Sequence, residues 1–493
     1  MNNKKTTVVT ISATLALILL VATATFAYFQ ADLGNNKEVD VSVSTLTEND
    51  RFSFAVGDTL ALQADETSFV KGGDSVSDTT TATALLTANN KTNNATKYYY
   101  LYLLISQNEF LYSQNENTPE LILTITKPDG TELTTFDGLT YKTVTDGKGT
   151  TIKGFDITTK SGLITLADNR KITTTSSITE KWSITLTLVN YDVNQIDNLG
   201  KEFNSKLIIQ QDEPVFSYYE ICNGSKLACH VAKLYSGTQG ENNIYYHDGT
   251  LENGINDNSY RYAGASENVN NYICLGSDAT TCPDANLFRI IGVFEEQVKV
   301  MRAKSVGDQK WNTHVDSSTT NTWSTSSLNT YLNGEYLTSL GTLAEKIATT
   351  TWKVGGNTMN NMVRYKPATI YQNELISPAE NTIHDAKIGL VYISDYLYAA
   401  TSAAWNLVAS SSGSTKNDYS TVTTLNWMYM GVDEWTISRD SEGSGFVFNL
   451  RFDGSVGDDR YSSNYAVRPT FSLLSSVTYA SGSGTSSDPI RIN

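Results

Sequence analysis

The sequence predicts a multi-domain, β-rich protein delivered outside the cell: an N-terminal apolar helix, an all-β sandwich and a C-terminal α+β domain. Three observations carry that expectation. An uncharged run, Val8 to Phe29, follows Lys4 and Lys5. Several short stretches before residue 213 alternate apolar with hydroxyl-bearing residues, the period of two of half-buried strands. After Ile244 strand and helix spacings mix, and six of the seven Trp fall there, a pattern that points to α+β.

The first segment, residues 1–30, reads as a signal peptide or a transmembrane anchor. Positive charge ahead of an apolar run keeps that end in the cytoplasm, so the rest of the chain is exported. The run is long enough to span a bilayer as a helix. It also contains Thr25-Phe26-Ala27, a small-x-small pattern that a signal peptidase could cut. Cleaved signal and retained anchor both stay open, and the membrane is the one partner this segment implies. Ala31 to Asp40 is a polar neck.

The formal charge is −16. Nucleic acid is therefore not an expected partner, because phosphate binding needs a basic footprint. Anionic lipid headgroups are disfavoured for the same reason. The acidity reads as solubility outside the cell. Tyr outnumbers Phe by 28 to 16, and Pro is scarce at 8, a balance that suits β-rich domains with hydroxyl-lined surfaces.

Residues 31–213 are expected to form the sandwich. Trp182, Ile184, Leu186 and Leu188 share one face, with Ser183, Thr185 and Thr187 on the other. Leu121 to Thr126 reads alike and stops at the turn residues Pro128-Asp129-Gly130. Tyr98 to Ile105 and Lys206 to Gln210 are further strands. Many strands with few helix signals suggest an antiparallel sandwich.

Residues 214–243 read as a linker with a cysteine loop. All four cysteines fall in two short pairs, Cys222/Cys229 and Cys274/Cys282. Export makes two local disulfides the expectation. A zinc site with His230 beside Cys229, or free thiols, are the alternatives.

Residues 244–493 are expected to be the α+β domain. Leu287 to Met301 reads as a hairpin around Glu295-Glu296. Leu328, Tyr331, Leu332 and Tyr336 have helical spacing behind the capping hydroxyls of Ser324 to Ser327. A strand is expected at Lys387 to Ile393, then a short helix from Ser394. Phe446, Phe448, Leu450 and Phe452 alternate before Asp453-Gly454, a hairpin turn signal. The closing strands are Tyr465 to Leu473 and Ile490 to Ile492.

Two resemblances add to this reading. Ala13 to Leu20 followed by Ala27-Tyr28-Phe29 resembles the leader of camelysin-type biofilm fibre proteins of Gram-positive bacteria. That resemblance implies cleavage before the aromatic residue and a jelly-roll-like domain after it. Asn258 to Ala265, Leu287 to Val293, Thr322 to Asn333, Glu434 to Arg439 and Ala466 to Phe471 resemble a bacterial surface domain of unknown function. That domain shares the C-type-lectin-like fold of formylglycine-generating enzymes. The resemblance implies a displayed recognition domain with a polar loop before its V-R-P strand. The enzymes' copper-binding cysteine pair has no counterpart here, since no Cys follows Cys282.

No catalytic constellation stands out. His230, His247, His314 and His384 are scattered, and no H-E-x-x-H, G-x-S-x-G or P-loop pattern is present. A carboxylate pair for glycan hydrolysis is recognised in space and stays open. The candidate ligand face is the segment Arg439 to Tyr465. Val447, Asn449, Arg451 and Asp453 lie opposite the apolar face of their strand by period two, and Asp458, Asp459, Arg460, Tyr461, Asn464 and Tyr465 follow in a loop. Planar hydrogen-bonding groups beside aromatic rings suit a surface glycan or a protein ligand. Asp453, Asp458 and Asp459 are alternatively Ca²⁺ ligands, and a solvated hairpin without a ligand is the plain alternative. Trp323, Trp352, Trp427 and Trp435 read as core. The functional expectation is an exported recognition or adhesion protein. A fibre subunit, or a secreted glycan- or peptide-acting enzyme, are the alternatives.

Overall fold

The computed structural model describes residues 50–89, 94–115, 118–222, 224–313, 321–412 and 416–493. The expected N-terminal helix and neck lie outside the described residues. Among the described residues no helix is long and apolar enough to cross a membrane. The chain divides into two units, Met1–Pro214 and Val215–Asn493.

Alternation of apolar and hydroxyl residues builds the first unit. Its strands are β1 (Asp50–Val56), β2 (Leu60–Gln63), β3 (Val76–Ala88), β4 (Ala95–Asn108), β5 (Leu121–Thr126), β6 (Tyr141–Thr145), β7 (Thr151–Asp156), β8 (Gly162–Thr174), β9 (Ser177–Leu188) and β10 (Glu202–Gln210). They form a six-stranded sheet in the order β1-β3-β9-β5-β7-β6 and a four-stranded sheet in the order β2-β10-β4-β8. Every pairing is antiparallel. Trp182, Ile184 and Leu186 of one sheet share a hydrophobic cluster with Leu101, Leu103 and Ile105 of the other. The hydroxyl-bearing positions take the opposite face, where Thr79 and Thr185 pair their hydroxyls across strands at 2.9 Å. The turn after β5 forms as the sequence requires, with the Gly130 N–H on the Lys127 carbonyl at 2.9 Å.

The second unit carries β11 (Ile244–Tyr246), β12 (Tyr260–Tyr262), β13 (Tyr272–Cys274), β14 (Leu287–Phe294), β15 (Gln297–Arg302), β16 (Asp308–Lys310), β17 (Thr350–Lys353) and β18 (Ile383–Ala386). It continues with β19 (Glu434–Arg439), β20 (Phe446–Leu450), β21 (Val456–Arg460), β22 (Asn464–Ala466), β23 (Thr470–Ser472), β24 (Tyr479–Ser481) and β25 (Arg491–Ile492). One sheet runs β11-β12-β14-β15-β23, with β13 also on β14. A second runs β16-β22-β19-β20-β21. The expected β14–β15 hairpin turns at Glu295, whose φ is 55°. The expected helix starts at Ser327, where the Ser326 hydroxyl accepts the Asn329 N–H at 3.1 Å. Trp311, Trp323, Trp352, Trp427 and Trp435 are all buried in one core.

Two sequence expectations are corrected here. Part of the linker is helical: Tyr218–Ile221 and Leu227–Lys233 are helices. Leu227, Ala228, Val231 and Ala232 recur at helical spacing and are buried in the second unit's core. The expected strand at Lys387 to Ile393 is not one. The strand is β18, which ends at Ala386, and Ile388 to Ile393 meets the sheets through Gly389 opposite Thr470 and through the Val391 carbonyl, which accepts the Ile437 N–H at 3.1 Å. Ile388, Leu390, Val391 and Ile393 are all buried, so an apolar run here marks an extended segment enclosed by the core.

The two ends of the second unit come together. The Leu227 N–H donates to the Val477 carbonyl at 2.9 Å, and Ile273 bridges Ile490.

Candidate functional site

The β20–β21 hairpin is set by its turn chemistry. Gly454 takes φ 88°, a conformation open to glycine without penalty. Its N–H donates to the Arg451 carbonyl and the Arg451 N–H to the Ser455 carbonyl, both at 2.8 Å. The Asp453 carboxylate accepts the Ser455 N–H at 3.0 Å and its hydroxyl at 2.6 Å, the Asx arrangement that stabilises such turns. Lys416 Nζ reaches the other carboxylate oxygen at 2.8 Å. Partial burial opposes ionisation of Asp453, but the Lys416 ammonium and the Ser455 donors outweigh it and hold the pKa at about 2.

The expected ligand residues divide. Asn449 does not face solvent: it is buried, its amide 3.5 Å from Asp433. Period two fails on β20 because Val447 and Phe448 are both buried, so this strand is covered on both faces. Asp458, Asp459 and Arg460 lie on β21, not in a loop. Asp459 accepts the Tyr465 hydroxyl, and Tyr465 packs on Trp435 with ring centres 4.6 Å apart, so both serve the scaffold. Burial and the neighbouring Asp440 raise the Asp458 pKa. Tyr461 is half-buried against the core. Arg451, Arg460 and Asn464 are exposed. Arg451 lies across Gly457, where a Cβ would meet its Nε at 2.0 Å. Arg460 sits over the Phe446 ring at 5.8 Å.

Among the described residues no three His, Cys, Asp or Glu side chains gather as metal ligands. Asp453, Asp458 and Asp459 thus do not assemble the alternative Ca²⁺ site. Both short cysteine pairs are disulfides, Cys222–Cys229 and Cys274–Cys282, which removes the zinc and free-thiol readings. His230 stacks on Tyr479 with ring centres 3.6 Å apart.

Comparison with protein-family models, with curated proteins and with solved structures returned no match.

Phe452 is the residue that strand patterning misplaces. Alternation puts it on the buried face of β20, yet it is 62 % exposed. Position 452 is the second residue of the turn, where strand alternation no longer applies. Its backbone is nevertheless fixed: the N–H donates to Asp433 Oδ1 at 3.1 Å, and the carbonyl accepts the Tyr429 hydroxyl at 2.6 Å. Val432, next to Asp433, is also exposed. An apolar ring on a fixed turn, with Arg451 and the Lys416–Asp453 pair beside it, combines an anchor with a polar rim.

A second concentration of polar chemistry lies in the core. Asp395, at the start of the helix Ile393–Tyr398, meets Lys299 of β15 at 2.5 Å through Oδ2 and Arg261 of β12 at 3.3 Å through Oδ1. Arg261 also meets Asp257 at 2.7 Å. Phe294 lies 4.5 Å from the Arg261 guanidinium and Tyr392 lies 4.7 Å from the Lys299 nitrogen. Glu374, also buried, accepts the N–H groups of Ile393 at 2.9 Å and Ser394 at 3.0 Å, and the Ser394 and Ser438 hydroxyls. Burial lowers the Lys299 pKa and raises that of Glu374. The only sequence signal for this cluster is single charges inside apolar runs, Lys299 in Gln297 to Met301 and Asp395 in Ile393 to Tyr398.

In the first unit a cavity of about 720 Å³ lies along the start of β8, between Phe136, Leu139, Lys160, Ser161 and Leu163.

Proposed function

We propose that this is an exported cell-surface protein that displays residues 215–493 as a recognition module of C-type-lectin-like fold. Its ligand face is the tip of the β20–β21 hairpin, and its ligand is a surface glycan or a protein. The observation that carries the reading is Phe452, an exposed ring whose backbone is held at both ends by other side chains. Aromatic rings give large contact area at low entropic cost, and a fixed backbone lowers that cost further. The joined chain ends of the second unit and its V-R-P segment support the lectin-like reading. The two disulfides suit an oxidising compartment outside the cytoplasm, and the leader supports surface delivery. A glycan and host-protein binding screen with the exported chain tests the proposal. Binding that weakens in Phe452→Ala supports it, and a ligand whose affinity ignores Phe452 and Arg451 places the face elsewhere.

A second reading, a fibre subunit, is favoured by one feature. β8 ends its sheet with an outer edge beside the 720 Å³ cavity, a place where an added strand could pair. Concentration-dependent polymerisation of the purified ectodomain distinguishes this from a discrete adhesin.

A further inference from the structure

A lysine amine and a carboxylate sealed together inside a protein core raise a chemical question, because taking two charges out of water is expensive. Lys299 and Asp395 are such a pair. Their side chains are 9 % and 2 % exposed, and Nζ lies 2.5 Å from Oδ2. The carboxyl carbon is one C–O bond further on, so the two reacting atoms lie close together.

We infer that Lys299 and Asp395 become joined by an intramolecular amide bond, formed by condensation of the Lys299 amine with the Asp395 side-chain carboxyl. A proton first passes from the ammonium to Oδ2, leaving a neutral amine and a neutral acid. The Nζ–Cγ bond then forms and the Cγ–Oδ2 bond breaks. Oδ2 departs as water carrying two of the three ammonium protons, and the third stays on the amide nitrogen. Charge and atoms balance, and no oxidant or activated co-reactant is needed.

The surroundings favour each step. Asp395 Oδ1, the oxygen that remains as the amide carbonyl, faces the Arg261 guanidinium at 3.3 Å, a donor set where negative charge develops during attack. The Tyr392 N–H donates to the departing Oδ2 at 3.1 Å. The rings of Phe294, Trp352 and Tyr392 lie 4.7 to 5.6 Å from the lysine nitrogen and keep bulk water from driving the reaction backwards. Burial favours the neutral amine of Lys299. The attraction of Asp395 and Glu374 opposes this by favouring the ammonium. The product replaces a buried ion pair by a neutral amide and fastens β15 to the helix Ile393–Tyr398.

The test is mass spectrometry of the exported chain, denatured and reduced. The wild type should be lighter by one water, about 18 Da, than its linear sequence, with the loss confined to a branched tryptic peptide that joins the Lys299 and Asp395 segments. Trypsin should not cut after Lys299. The mass difference between wild type and Lys299→Arg, which retains the ion pair and cannot form the amide, should exceed the residue difference by the same amount, whatever happens at the N-terminus. If the variant does not fold, the wild-type peptide map decides alone. Complete tryptic cleavage after Lys299, with both peptides at full mass, overturns the inference and leaves a plain buried ion pair.

Discussion

Arg468 meets Glu434 through two hydrogen bonds, Nε to Oε1 at 2.7 Å and Nη2 to Oε2 at 2.6 Å, with neither side chain more than 3 % exposed. A third bond runs from Nη2 to the Met428 carbonyl at 2.6 Å. Arg468 sits in the V-R-P segment between β22 and β23, and Glu434 opens β19, so the pair ties the two main sheets of the second unit. Removing one partner leaves a buried charge unpaired. Arg468→Met should therefore cost about 3–5 kcal/mol of stability. Urea denaturation measures it, and a loss below about 1 kcal/mol would mean water reaches Glu434 after all.

The hairpin tip should separate binding from folding. Phe452→Ala and Arg451→Ala remove exposed groups and should change unfolding free energy by no more than about 0.5 kcal/mol. For a ligand found by the screen, loss of the anchor ring should weaken binding by about 2 kcal/mol. Calorimetric unfolding and titration of the same samples report both quantities. A large stability loss in Phe452→Ala would show the ring to be structural.

His247 should make the second unit acid-sensitive. Its ring is fully buried, packed against Tyr398 and Trp405, and neither ring nitrogen has a hydrogen-bond partner among the described residues. Burial, with the Arg261 charge adding to it, pushes its pKa down to about 3. The unfolded chain takes up this proton near pH 6.5, as an ordinary imidazole does, whereas the folded protein does so only near about 3. The full contribution is therefore present above about pH 6.5 and is lost as pH falls through that window, by on the order of 4 kcal/mol at its acid end. Between about pH 7 and 4, the denaturant midpoint of wild type should fall relative to that of His247→Phe. Parallel pH profiles would rule this contribution out.

The disulfides should differ in reactivity. Cys222 and Cys229 are both buried, while Cys282 is half-exposed. Under mild reductant Cys274–Cys282 should open first, followed by quantitative alkylation and peptide mapping. The links span 7 and 8 residues, so replacing either pair by serine should cost about 2–3 kcal/mol. Simultaneous opening of both would mean that local unfolding, not exposure, controls access.

Much of the first unit is legible because hydrophobic alternation and sheet burial share one period: Trp182, Ile184 and Leu186 point inward as their spacing requires. The second unit is harder for the same reason in reverse. Where β20 and the segment Ile388 to Ile393 are enclosed on all sides, alternation carries no information, and it puts Asn449 outward and Phe452 inward. The helix Leu227–Lys233 escapes sequence patterning because it is only two turns long and contains Cys229, the far end of a cysteine loop. The Lys299–Asp395–Arg261 cluster joins residues from distant parts of the chain, and no local pattern encodes that meeting. The disulfide pairs are readable because their partners are neighbours in sequence.

At the hairpin tip, the backbone of residue 452 is held by Asp433 and Tyr429 rather than by its own side chain. The side chain there is thus uncoupled from the fold that carries it. Another residue at this position would inherit the same placement and direction, provided it tolerates the turn. Selection acting on what is recognised could exchange the group on show repeatedly, while selection acting on folding would register those exchanges only at Asp433 and Tyr429.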